Sequence, residues 1–123
     1  MASDSTLNAL WREAVLLKCD NTCVICGIYG GVLEAHHIIP RRKAYLKHDI
    51  KDGVAVHKYE CHTKAASKKG EALVREFIGE GDWAYLCEFE RVILKDHLTS
   101  VGMSREEFSE FRKRELQEYI KGV

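Results

Sequence analysis

Proline is nearly missing from this 123-residue chain: Pro40 is the only one. No internal repeat and no low-complexity linker interrupts the sequence. No apolar run approaches the roughly 20 residues that a membrane-spanning helix needs, so no membrane partner is expected. No charged-then-apolar leader is visible, which predicts an intracellular, cytoplasmic protein. A paired cysteine framework is missing too. The five cysteines, Cys19, Cys23, Cys26, Cys61 and Cys87, are odd in number, which argues against a secreted disulfide scaffold.

Net charge is zero, and that balance hides an asymmetry. Between His36 and Lys68 lie Arg41, Arg42, Lys43, Lys47, Lys51, Lys58, Lys64 and Lys68, against only Asp49, Asp52 and Glu60. From Lys69 onward acids outnumber bases. The middle of the chain is therefore a basic surface, either a solvated face or a seat for a polyanion. The length suits one domain with a helical extension. The core of so short a chain is modest, so a metal staple would help it.

The organising stretch is Glu34-Ala35-His36-His37-Ile38-Ile39-Pro40. On a strand, neighbouring side chains point to opposite faces. His36 and His37 would then do different work, one facing a metal and the other a water or substrate.

Upstream, Ser3 to Thr6 offer N-caps, and Leu7, Leu10, Trp11, Ala14 and Leu17 recur at helical spacing over roughly 7–18. Asp20 and Asn21 end that helix with turn chemistry. Cys23-Val24-Ile25-Cys26-Gly27 then sets two thiolates on one ion around a tight turn. A redox pair is the competing reading, and it would want a strand-to-helix setting within a βαβ pattern. Val32 to Ile39 reads as a strand, 41–52 as an irregular basic loop with a helical turn, and Asp52-Gly53 as a hairpin-type turn signal. Val54 to Val56 is a second strand, followed by a helix over roughly 59–69 that ends near Gly70. His57 and Cys61, four residues apart, converge across one helical turn. The inferred closed zinc site is Cys23, Cys26, His57 and Cys61. Cys19 is a lesser candidate ligand.

The remainder reads as helical. Leu73, Val74, Phe77 and Ile78 mark a short helix broken by Gly79 and Gly81. Asp82 caps a second that runs to about Leu98, and Ser104 with Glu107 forms a capping box for a third. The division expected is a core over 1–70 and a helical extension over 71–123, packed on the core or forming a homodimer interface.

A zinc fastened between the loop before the first strand and the helix after the second would bring His62 near the histidine pair. A metal–histidine centre beside positive charge suits phosphodiester cleavage, with Arg41, Arg42, Lys43, Lys47 and Lys64 as phosphate contacts.

The order Cys23-x-x-Cys26-Gly27, Glu34-Ala35-His36-His37-Ile38, Asp52-Gly53-Val54 and Cys61-His62 resembles the zinc-containing branch of the HNH (His-Asn-His) endonucleases. The likeness covers about residues 10–68. The helical tail after Gly81-Asp82-Trp83 is more loosely reminiscent of small phage-encoded nucleases. The resemblance implies an α+β, mostly α chain built on a ββα-metal core stapled by structural Zn2+, with an N-terminal helix and a helical C-terminal region. It implies that His36 and His62 hold a catalytic Mg2+ or Mn2+ and that His37 is the general base. It implies hydrolysis of DNA, double-stranded or branched, to a 5′ phosphate and a 3′ hydroxyl. Two positions depart from the family pattern. Asp52 stands where an asparagine usually steadies the loop, and His57 with Cys61 replaces a closer cysteine pair. A weakly active zinc-stabilised nucleic-acid-binding module, or a protein-interaction module working through its C-terminal helices, would keep the zinc and lose the cleavage.

Overall fold

A computed structural model describes residues 1–123. Helix α1 spans Asp4–Lys18, with the Ser3 side chain accepting from the Thr6 amide at 3.2 Å. Its buried stripe is Leu7, Trp11, Ala14 and Val15. The chain leaves the helix through Asp20 and Asn21, both in the left-handed region (φ 54° and 50°), a conformation these short polar side chains tolerate.

Strands β1 (Leu33–His37) and β2 (Gly53–His57) pair antiparallel, from Leu33 opposite His57 to His37 opposite Gly53. Every residue of β2 is buried, so the ribbon forms the floor between α1 and the helices that follow. Asp52-Gly53 is not a hairpin turn. Gly53 pairs with His37, and the two strands are joined by a long loop with helical turns, held by Leu46 N–H to the Lys43 carbonyl and Asp49 N–H to the Leu46 carbonyl, and by the 3-10 turn Ile50–Asp52. Glycine is wanted there for closeness: a Cβ at Gly53 would fall 2.5 Å from Val15 Cγ2 and 2.7 Å from Trp11 Cζ2.

The helix expected over 59–69 divides. α2 is the short His62–Ala65, and α3 (Lys68–Phe89) starts afresh after Ser67. Ser67 accepts from the Gly70 amide at 3.1 Å and donates to the Lys64 carbonyl at 2.6 Å, so a local cap competes with helix continuation and wins. Gly70 is thus inside the first turn of α3, not at a helix end. α3 is interrupted at Gly79, whose φ 85° and ψ 161° are non-helical, so the break the sequence predicts there is present, although the second helical run begins at Gly79 and not at an Asp82 cap. It stops at Phe89, well short of Leu98, and α4 (Leu94–Val101) follows.

α5 (Arg105–Gly122) opens with the Ser104–Glu107 capping box, its two hydrogen bonds at 3.0 and 3.1 Å. Leu116 of α5 is fully buried among Leu7, Trp11, Ala14 and Val15 of α1. A second cluster surrounds the strands and the cysteines, from Cys19 and Cys23 to Val54, Val56 and Val74. A third joins Ile39 and Leu46 of the long loop to Leu86 of α3. The architecture is the α+β, mostly helical one that the ββα-metal resemblance implies. No helix is long and apolar enough to cross a membrane.

Candidate metal centre and nuclease site

The Cys23, Cys26, His57 and Cys61 ligand atoms all lie within 4.8 Å of one another. The knuckle forms because the Gly27 amide turns back onto the Cys23 carbonyl at 2.8 Å, with φ +74° at Gly27. The second pair closes because the Cys61 amide bonds the His57 carbonyl at 3.2 Å, the single helical turn that the four-residue spacing required. The His57 imidazole donates from Nε2 to the Gly30 carbonyl at 2.8 Å, which leaves Nδ1 facing Cys26 Sγ at 3.2 Å. That is how a zinc-ligating histidine is normally oriented. Burial pushes the Cys23 thiol up, but amide donors from Cys26, His57 and Ile25 outweigh it and bring the group down to about 7. Burial and the neighbouring sulfurs hold Cys61 up, at about 11. Three soft sulfurs and one imidazole nitrogen in this compass fit tetrahedral zinc. Cys19 lies outside the cluster, accepting from the Ala55 amide at 3.3 Å, and Cys87 is an exposed free thiol.

Glu34 and His36 share one face of β1, two residues apart. His62, the first residue of α2 and the neighbour of zinc-cluster Cys61, faces them. Its ring stands edge-on to His36 with centroids 6.0 Å apart, and its Nδ1–H donates to the Glu34 carboxylate. The proton is thereby fixed on Nδ1 and the Nε2 lone pair is left free. The ligand atoms of these three residues are more widely spread than those of the cysteine cluster. Burial, and then the neighbouring His62, lowers the His36 pKa and keeps its imidazole neutral and able to bind a cation. Two imidazoles with a carboxylate behind one of them suit a divalent metal. Glu34 entered the sequence reading only as part of a motif, and its position two residues before a candidate ligand on the same strand face was the available signal.

His37 leaves β1 on the other side. Its ring stacks on Trp11 of α1, centroids 4.0 Å apart and planes 12° from parallel, and its Nε2 lies 2.9 Å from the Lys47 carbonyl. A carbonyl only accepts, so Nε2 carries the proton and Nδ1 is the basic nitrogen. Burial lowers the His37 pKa against the opposing pull of that carbonyl, which keeps the ring in its neutral, base-competent form.

Asp52 is fully buried, and its Oδ1 accepts from the Ile39 amide at 2.6 Å. Its carboxylate therefore holds the turn after the histidine pair and steadies no histidine directly. Burial pushes its pKa up to about 8. A neutral carboxylic acid accepts with one oxygen and donates with the other, as an asparagine amide does. The second Asp52 oxygen, Oδ2, is buried with no hydrogen-bond partner, so the donor side of that acid is left unused.

Arg41, Arg42 and Lys64 are exposed and Lys43 is half-buried. Lys47 is not a free cation: its Nζ is 2.8 Å from Asp4 Oδ2. A cavity of about 430 Å³ beside the pair is walled by Val74, Trp83, Glu71 and Glu90, so that side is apolar and acidic, not basic.

Two antiparallel strands and a short helix, clasped by a three-cysteine, one-histidine cluster beside paired histidines, define a zinc-type ββα-metal core. Residues 23–68 match the family model described as HNH endonuclease. No curated protein and no solved structure matches the chain.

Proposed function

We propose that this chain is a divalent-metal-dependent DNA endonuclease with His37 as general base. The observation that carries the reading is the His37 tautomer, proton on Nε2 toward the Lys47 carbonyl and lone pair on Nδ1, one residue from the His36–His62 pair. Nδ1 takes a proton from water as the oxygen attacks phosphorus in line. His36 and His62 would hold Mg2+ or Mn2+, with Glu34 orienting His62. When bound, the ion supplies positive charge against the phosphorane-like transition state and the departing 3′ oxygen. Arg41, Arg42, Lys43 and Lys64 bind backbone phosphates without reading sequence. Zn2+ on Cys23, Cys26, His57 and Cys61 is structural. Asp52 holds the turn at Ile39.

The test is nicking of supercoiled plasmid with Mg2+ or Mn2+, alongside metal analysis. Wild type should relax the plasmid, and a folded, zinc-loaded His37→Ala protein should lose at least about 10²-fold in rate, in line with a lost general base. Cleavage at the wild-type rate by His37→Ala removes the assigned base. Salt-sensitive DNA binding without nicking in any divalent ion would leave a zinc-stabilised binding module.

A further inference from the structure

Outside the matched segment, the C-terminal helices build a buried polar cluster against the loop that holds His37. Arg112 of α5 and Asp49 of the loop are each almost wholly buried, side chains 4% and 5% exposed, with Arg112 Nη2 3.5 Å from Asp49 Oδ2. Nη2 also donates to the Tyr45 carbonyl at 2.7 Å, and Nη1 to Glu115 Oε1 at 2.9 Å. From α3, the Tyr85 hydroxyl donates to the same Asp49 carboxylate. The Asp49 carbonyl accepts from the Trp11 indole at 2.9 Å.

Both contacts that fix His37 therefore depend on this one turn. The Trp11 face against the imidazole is anchored through the Asp49 carbonyl, and the Lys47 carbonyl that accepts from Nε2 belongs to the same turn. We propose that Arg112, Asp49 and Tyr85 are positioning residues, a brace by which the C-terminal helices hold the 45–49 turn so that His37 keeps its tautomer and orientation. Stability alone is a poor reason for such a cluster, because well-packed apolar side chains commonly replace a buried ion pair at no cost. Fixed geometry is what directional bonds add. The catalytic part of this inference rests on the nuclease reading above; the mechanical part does not.

The experiment uses the full zinc-loaded chain and three variants: Tyr85→Phe, Arg112→Lys, and Asp49→Asn with Arg112→Met, which leaves neither charge unpaired if the single changes fail to fold. Trp11 indole N–H exchange should quicken in the double variant. Plasmid nicking should fall by up to about 10²-fold in kcat at unchanged KM, the usual result of misplacing a catalytic group by about 1 Å. Tyr85→Phe and Arg112→Lys should lie between. Made on top of His37→Ala, the double variant should cost nothing further, because a brace acts only through the base it holds. Unchanged indole exchange in folded variants overturns the brace. An equal further loss in the His37→Ala background overturns its action through His37. If wild type nicks nothing, the nuclease reading fails and takes the catalytic part of this inference with it, while the exchange rates still decide the brace.

Discussion

Trp11 lies flat against His37, 4.0 Å between ring centroids and 12° between planes, although the two belong to different elements. The stack is made possible by Gly53, which pairs with His37 across the ribbon and leaves room for the indole. Gly53→Ala should therefore act on both. A Cβ 2.7 Å from the indole must push it aside, an overpacking cost of about 1–3 kcal/mol. Urea unfolding reads the loss, and a changed Trp11 indole resonance reads the displacement. A protein as stable as wild type with an unmoved indole contradicts the packing account.

Zinc removal should be decisive for folding. A structural zinc contributes on the order of 10 kcal/mol, comparable with a small domain's whole stability. One zinc per chain is expected by elemental analysis, lost in Cys23→Ser. A strong chelator should abolish the cooperative thermal transition, and a chelated chain that melts as wild type does would show the cluster to be idle.

Asp52 sets a pH dependence with a definite sign. Its pKa is raised in the fold, from an ordinary 3.8 to about 8. Between those values the unfolded chain has released the proton and the folded chain retains it. Folding then takes up a proton, so this group lowers stability progressively as pH rises through the window and levels off above about 8. Asparagine cannot ionise. Asp52→Asn should gain stability over wild type as pH rises from about 6 to 8, by about 1.4 kcal/mol per pH unit at most. Urea titrations across that range check it; a constant difference would mean that Asp52 does not titrate there.

Glu34 should matter to the second metal and not to the first. Carboxylates behind ligating histidines are commonly worth about 10–100-fold in metal affinity. Glu34→Ala should weaken Mn2+ binding to the zinc-loaded chain by that order, with Glu34→Gln intermediate and zinc content unchanged. Titration calorimetry distinguishes these cases, and equal Mn2+ affinity in Glu34→Ala refutes the orienting role.

The basic rim should divide in two. Arg41→Ala with Arg42→Ala should weaken DNA binding about equally across sequences and reduce the salt slope by about 2. Lys47→Ala should barely change that slope, since Asp4 already holds the ammonium. Binding isotherms at several salt concentrations separate them.

How far such features were legible depended on their range along the chain. The Cys23–Cys26 knuckle, the His57–Cys61 turn and the Ser104–Glu107 box follow from local geometry that holds in almost any surrounding, and each is found as read. The edge-to-face meeting of His36 and His62 followed from the zinc closing two segments together. Local signals failed where a competitor stood nearby. Ser67 capped a new helix where Gly70 had read as the end of an old one. Asp52-Gly53 looked like a hairpin turn, yet the glycine serves clearance beneath Trp11. The charge of Lys47 was visible, but its partner Asp4 lies on a different element.

Residue order alone determined the Cys23, Cys26, His57 and Cys61 cluster, the histidine-bearing strand and the basic stretch after it, because spacing fixes which side chains gather at one point or one face. Only the folded chain decided which nitrogen of His37 carries the proton, which ring lies against it, and that Arg112 and Tyr85 reach the turn beneath it. Those outcomes arise from contacts between segments far apart in sequence, where no periodicity operates and the available space selects the partner.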